Sequence, residues 1–359
     1  MSTKLFSRVA LIALTTLTFA NTLLAQSTPR ESLLILSKHD HTLAIVDPAT
    51  LKVIAKAPVG DDPHEVIASS DGKTAYVSNY GSGTFNTLAV IDLIAQKALS
   101  SIDLGALRGP HGLDFSAGKV WFTAEAAKAI GSYDPATQKI DWIFGTGQNR
   151  THMLYVMPDL KTIVATNVSS ATVSIIEKIA AAGNGGSPPN QQQGTPGAMP
   201  PGPPPGAPRT DWNQTIISVG HGDEGFDISP DHKEIWTANA QDGTISIIDF
   251  AAKKVVQTLN ANVRGANRLK FTPDGKLVFV SSLGGADAVV LSAATRAEVK
   301  RIPIGHGAAG VQMQPDGSRV FIACTPDNYV VVIDLHTLAV TAHIDAGPNP
   351  DGMAWAVQR

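Results

Sequence analysis

The sequence predicts an all-β protein, a seven-bladed β-propeller whose ring is closed by N- and C-terminal strands sharing one blade. Three observations carry that prediction. A phrase built on an Asp-Gly turn recurs about every 42 residues. Each copy reads as four short apolar and β-branched runs separated by turns. The two ends of the chain supply complementary parts of one further copy. Four-stranded units at a 40–45-residue period are the signature of propeller blades. Composition agrees: 32 Gly and 23 Pro in 359 residues signal many turns, and only 16% of residues are charged. A long helical bundle and global disorder are both disfavoured by such a chain.

The first segment reads as an address. Lys4 and Arg8 precede an apolar run from Val9 to Ala25, and Gln26-Ser27-Thr28-Pro29 turns polar. Basic, apolar and small-residue regions in that order make residues 1–25 a secretory signal peptide, so a periplasmic or secreted protein is expected. Cleavage after Ala25 takes the net charge from −3 to near −5. No later stretch is long and apolar enough to span a membrane. Cys324 is the one cysteine and lacks an intrachain partner, so packing and ring closure must supply stability. The near-neutral charge balance argues against a nucleic-acid partner.

Residues 26–359 are then expected to form the propeller. Leu33–Leu36, Thr42–Asp47 and Leu51–Ile54 read as three strands lacking an inner neighbour. The next blade carries Asp71-Gly72 and Tyr76-Val77-Ser78-Asn79, followed by Val90-Ile91-Asp92. Its successor shortens the turn at Ser116-Ala117-Gly118-Lys119 and ends its second strand Phe122-Thr123-Ala124-Glu125. The fourth blade opens its turn at Pro158-Asp159 and is interrupted by a Pro/Gly/Gln-rich insertion over 180–208. That composition cannot build a core and is expected as a loop outside the blade. Asp231, Asp274 and Asp316 mark the remaining hairpins, and residues 351–357 provide the missing inner strand of the first blade. Closing the ring this way removes the open sheet edges on which arrays aggregate.

Tyr76-Val77-Ser78-Asn79 with Val90-Ile91-Asp92, and Trp236-Thr237-Ala238-Asn239 with Ile247-Ile248-Asp249, resemble the YVTN β-propeller repeat family, which includes YncE-like periplasmic proteins. The resemblance covers nearly all of the mature chain. It implies the propeller fold and leaves function to the site, because one fold hosts many activities.

A common anchor lies seven positions before a hairpin Asp at His64, His152, Glu224, Asn267 and Ala309. His111 joins them when the shortened turn is aligned through Leu113-Asp114-Phe115-Ser116, and Asp351 through Asp351-Gly352-Met353-Ala354-Trp355, where the chain ends before any turn. Around the ring the anchors read Asp351, His64, His111, His152, Glu224, Asn267 and Ala309, with successive intervals of 47, 41, 72, 43, 42 and 42 residues from His64 onward. Removing about 30 residues of insertion restores the period of the long interval. Each anchor begins an innermost strand, so the seven should ring one mouth of the channel. His64, His111, His152, Glu224 and Asp351 are the ligand types of a divalent metal site. Arg108, Arg150, His221, Arg264, Asn267, Arg268 and His306 are expected to add ligand-binding groups around them.

The ring is therefore expected to present itself to a small ligand, a metal ion or a protein partner. A satisfied polar network holding ordered water is the reading without chemistry. The enzymatic alternative is a metal-dependent hydrolase or lyase of lactone-like substrates. It resembles streptogramin lyase, which uses His and Glu near a propeller channel with magnesium, and His152 or Glu224 would then serve as base. There is no Gly-x-Ser-x-Gly elbow, P-loop or Cys-x-x-Cys-His haem motif.

Overall fold

The computed structural model describes residues 27–180 and 210–359. The segment expected as a signal peptide, and the insertion beyond Ala180, lie outside the described residues. Seven antiparallel sheets make seven blades. Counting from the closing blade, blade one joins Pro350–Val357 to Glu31–Ser37, Thr42–Asp47 and Lys52–Pro58. The innermost strands of blades two to seven are Pro63–Ala68, Pro110–Ser116, Thr151–Val156, Asp223–Ile228, Ala266–Phe271 and Ala308–Met313. In every blade the anchor is the second residue of that strand.

The recurring phrase encodes the blade. Asp71 ends its turn by accepting the Lys73 N–H at 3.1 Å and the Ser69 hydroxyl at 2.6 Å. Asp47, Asp92, Asp249 and Asp334 each accept a backbone N–H two or three residues on, which makes them turn formers. The Asn of the phrase pins the following hairpin: Asn239 donates to Thr244 Oγ1 at 2.9 Å and Ser246 Oγ at 3.0 Å.

Second and third strands are buried on both faces and so read as continuous apolar runs, whereas outer strands such as Lys139–Gly145 alternate. The core lies between blades. Phe279 and Val290 of blade six pack with Val320 and Ile322 of blade seven, and Phe321 of blade seven packs with Leu33 and Ile35 of blade one. Cys324 is buried there; its thiol faces the Ile304 carbonyl at 3.2 Å and burial pushes its pKa up to about 12.

Ring closure pairs Glu31 to Val357 through Ile35 to Met353. Gly72 accommodates that seam, since a Cβ there would lie 2.2 Å from the Val357 carbonyl oxygen. In blade four, Thr172–Ala180 pairs with Thr210–Ser218 along its whole length, Ala180 opposite Thr210. The insertion thus leaves from the tip of a regular hairpin. Among the described residues no helix is long and apolar enough to cross a membrane.

Candidate functional site

Three repeated devices aim the anchors. The residue two before each anchor has positive φ in all seven blades: Gly109, Gly222, Gly265 and Gly307 in four, and Asp62, Arg150 and Asn349 in the others. Asp and Asn tolerate this conformation, but an arginine there costs about 1 kcal/mol of backbone strain. Next, a second-strand hydroxyl bridges neighbouring blades. Thr123 accepts the Gly112 N–H at 2.9 Å and donates to the His152 carbonyl at 2.7 Å, and Ser281 joins Arg268 to Ala309 in the same way. Finally, Gly112, Gly225, Gly310 and Gly352 follow their anchors directly. A Cβ at any of them would come within 2.6 Å of the next blade's backbone.

All seven anchors line one cavity of about 620 Å³. A second tier, contributed by residues that directly follow a second strand, adds Lys38, Tyr80, Leu283 and Thr325 to its wall. Arg268 (blade six) and Glu65 (blade two) sit one residue deeper than their anchors and pair at 2.7 Å across the ring. Both are largely buried, at 13% and 14% exposed. The two blades are as far apart as a seven-membered ring allows, so the pair spans the channel and makes the cavity a cup.

One side of the cup is densely charged. His152, 2% exposed, donates from Nδ1 to Glu125 Oε1, and its Nε2 lies 2.9 Å from Glu224 Oε2. That second contact is misaligned, leaving Nε2 without a directed hydrogen bond. Burial opposes the imidazolium, but Glu125 and Glu224 outweigh it and hold the His152 pKa above the ordinary value. Burial likewise opposes ionisation of Glu224, yet His152 and then Arg150 bring its pKa down to about 2. Glu125, also against the trend of burial, is lowered by His152 and by the Tyr80 hydroxyl that donates to it. Arg150 stands 3.5 Å from both Glu125 and Glu224, which accounts for an arginine at a strained position.

His111 is different. It is 3% exposed, its ring centroid lies 3.8 Å from that of His152, and its buried Nδ1 has no partner among the described residues. Burial, reinforced by the cationic character of His152, drives it well toward the neutral form. In the adjacent blade His64, whose ring centroid lies 5.0 Å from that of His111, is also shifted toward the neutral form by burial, then by Lys38. Lys38 Nζ donates to His64 Nε2 at 2.8 Å and pairs with Asp351 at 3.3 Å. An ammonium thus occupies the position where a cation would join His64 to Asp351. Blades six and seven complete the wall: Leu283, Gly307, Ala309 and Pro326 form an apolar flank, with Asn267, Arg268 and Thr325 beside it.

The structure therefore brings His64, His111, His152, Glu224, Asn267, Asp351, Arg150 and Arg268 into one cup. It does not bring Arg108, His221, Arg264 or His306 there. Arg108 and Arg264 are exposed. His221 and His306 point outward and bind Asp242 and Asp327 through both backbone N–H, at 2.7 Å in each case, and Nδ1. Three residues before the anchor the loop has not yet turned inward. Glu125, Tyr80, Lys38 and Glu65 escaped the sequence reading. The available signal was their register, the residue after a second strand or after an anchor; Glu125 stood out only as a departure from the repeat. Among the described residues, His111, Glu125 and His152 offer ligand atoms all within 4.8 Å of one another and so form the group that could hold a metal.

No protein-family model and no curated protein matches the chain by sequence. Solved structures do match in shape. A functionally unknown protein from Desulfotomaculum acetoxidans is 13% identical with a TM-score of 0.69, covering 90% of this chain and 98% of that one. A "putative 6-phosphogluconolactonase" from Bacteroides uniformis is 15% identical with a TM-score of 0.68, covering 91% and 100%. Hydrazine synthase of Kuenenia stuttgartiensis is 15% identical with a TM-score of 0.62, covering 81% and 89%. At such identities the likeness establishes the fold, a seven-bladed β-propeller, and nothing further.

Proposed function

We propose that the chain is an exported YVTN-type β-propeller whose cup binds a small molecule. The observation that carries this reading is the convergence of all seven anchors and a second tier of side chains on one cavity of about 620 Å³. That volume suits a small ligand, and the cup offers it a charged side and an apolar flank. The charges there are mutually paired, so the ligand class favoured is a neutral or zwitterionic polar molecule with one apolar face. The test is thermal-shift screening of a panel of such metabolites against the wild type and Ala309→Trp, which fills the apolar flank without altering charge. Shifts lost in a folded Ala309→Trp support the cup; shifts that persist there refute it.

A second reading, hydrolysis or elimination on a lactone-like substrate, is favoured by His111. A neutral imidazole with an unpartnered nitrogen is available as a base. His152 suits that role less well, because both its nitrogens face carboxylates. Two Bacteroides proteins of the same fold, from Bacteroides fragilis and Bacteroides uniformis, are each named "putative 6-phosphogluconolactonase", which gives a reason to assay lactones directly. Turnover lost in His111→Gln but retained in His64→Gln would support it.

A further inference from the structure

We infer that His111, Glu125 and His152 form a site for one first-row divalent cation of the Zn²⁺ class. The proposal stands on the cluster itself and does not depend on the small-molecule reading.

Two imidazoles and one carboxylate are a borderline nitrogen–oxygen donor set with a position left for water. It suits Zn²⁺, Co²⁺ or Cu²⁺, whereas Ca²⁺ and Mg²⁺ take oxygen ligands. His111 Nδ1 is buried and has no hydrogen-bond partner among the described residues, while His152 Nε2 already faces Glu224 at 2.9 Å and leaves Nδ1 as the ligand atom toward Glu125. A buried polar atom like His111 Nδ1 calls for a missing partner. The donor atoms of His111, Glu125 and His152 lie within 4.8 Å of one another. A tetrahedral site with bonds near 2.1 Å needs donors roughly 3.4 Å apart, so the widest pair must close by about 0.7 Å on each side. The cation replaces the proton that His152 shares with Glu125, and that proton leaves to solvent. Tyr80, donating to Glu125 Oε2, orients the carboxylate as an outer partner. The surrounding residues divide clearly: His64 and Asp351 are engaged by Lys38, while Arg150 stands 3.5 Å from Glu125 and Glu224 and competes with a cation.

The test uses the tag-free, chelator-stripped chain with Zn²⁺ by calorimetry and Cu²⁺ by electron paramagnetic resonance. One equivalent of Zn²⁺ is expected to bind, and the Cu²⁺ spectrum should show two coordinated imidazoles. Glu125→Gln, which keeps the shape and one of the two accepted hydrogen bonds, and His111→Gln should each weaken Zn²⁺ binding about 100-fold or more, beyond the usual effect of an outer partner. Arg150→Gln should tighten it several-fold, an effect that a purely structural network does not produce. The exposed-histidine variant His221→Ala/His306→Ala should leave the tight site untouched. Absence of saturable binding, an unchanged affinity in Glu125→Gln, or a Cu²⁺ spectrum with fewer than two imidazoles overturns the assignment. The wild-type spectrum decides the matter even if a variant fails to fold. Ala309→Trp should still bind Zn²⁺, so failure of the small-molecule reading is separable from failure of this one.

Discussion

Replacing Arg268 by methionine removes one partner of the ion pair that spans the channel. Arg268 and Glu65 meet at 2.7 Å, and with 13% and 14% exposure neither charge is well solvated. Methionine retains much of the aliphatic stem, so the main loss is electrostatic. Leaving one buried charge without its partner costs about 3–5 kcal/mol, whereas replacing both with apolar groups is often neutral. An unfolding entropy of about 2.1 cal/mol/K per residue over a ring of roughly 300 residues converts this to a Tm drop of about 5–8 °C. The assay is a double-mutant cycle on Arg268→Met, Glu65→Leu and the double variant, read by thermal and denaturant midpoints. The double variant should regain most of the loss shown by either single variant. Additive losses, or single variants no worse than disruption of an exposed pair, would refute the reasoning that the pair is desolvated and spans the channel.

Other expectations follow from the same geometry. Asp223 is fully buried with Oδ1 unpartnered, and burial raises its pKa to about 7. A carboxyl raised in the folded state contributes stability below its unfolded value of 3.8 that is lost as pH rises through about 7. Metal-free Asp223→Asn should therefore gain up to about 3–4 kcal/mol on the wild type at pH 8 and little at pH 4, measured by urea midpoints. Glu224 runs the opposite way: its pKa falls from 4.5 to about 2, so its contribution is present above 4.5 and lost as pH drops toward 2. The midpoint gap between wild type and Glu224→Gln should close below pH 3. Gly112→Ala would place a Cβ 2.5 Å from the His152 carbonyl oxygen, whereas Gly145→Ala meets nothing within 4 Å. The first should cost about 3 kcal/mol or prevent folding, and the second should be near neutral. Deleting residues 350–359 removes the inner strand of blade one and bares the edge of Glu31–Ser37; aggregation in size-exclusion chromatography is expected.

Most of the fold was legible in the amino-acid order because its determinants are local. Each Asp-Gly turn, each Val-Ile-Asp run and each second-strand Thr or Ser acts within one blade or on the next, and the repetition of these signals counts the blades. The ring of anchors was legible for the same reason: equal spacing in a repeat becomes equal position around a channel. Only the tertiary structure decided which anchors interact. Lys38 reaches His64 and Asp351, and Glu125 reaches His152 from the neighbouring blade, through side-chain directions that no period encodes. The outward turn of His221 and His306 likewise depends on where Asp242 and Asp327 lie across the loop. The sequence by itself determined seven blades and a polar ring. The partition of that ring into an ammonium-bridged half, a His-carboxylate cluster and an apolar flank came from packing, because charge pairing depends on distance in space.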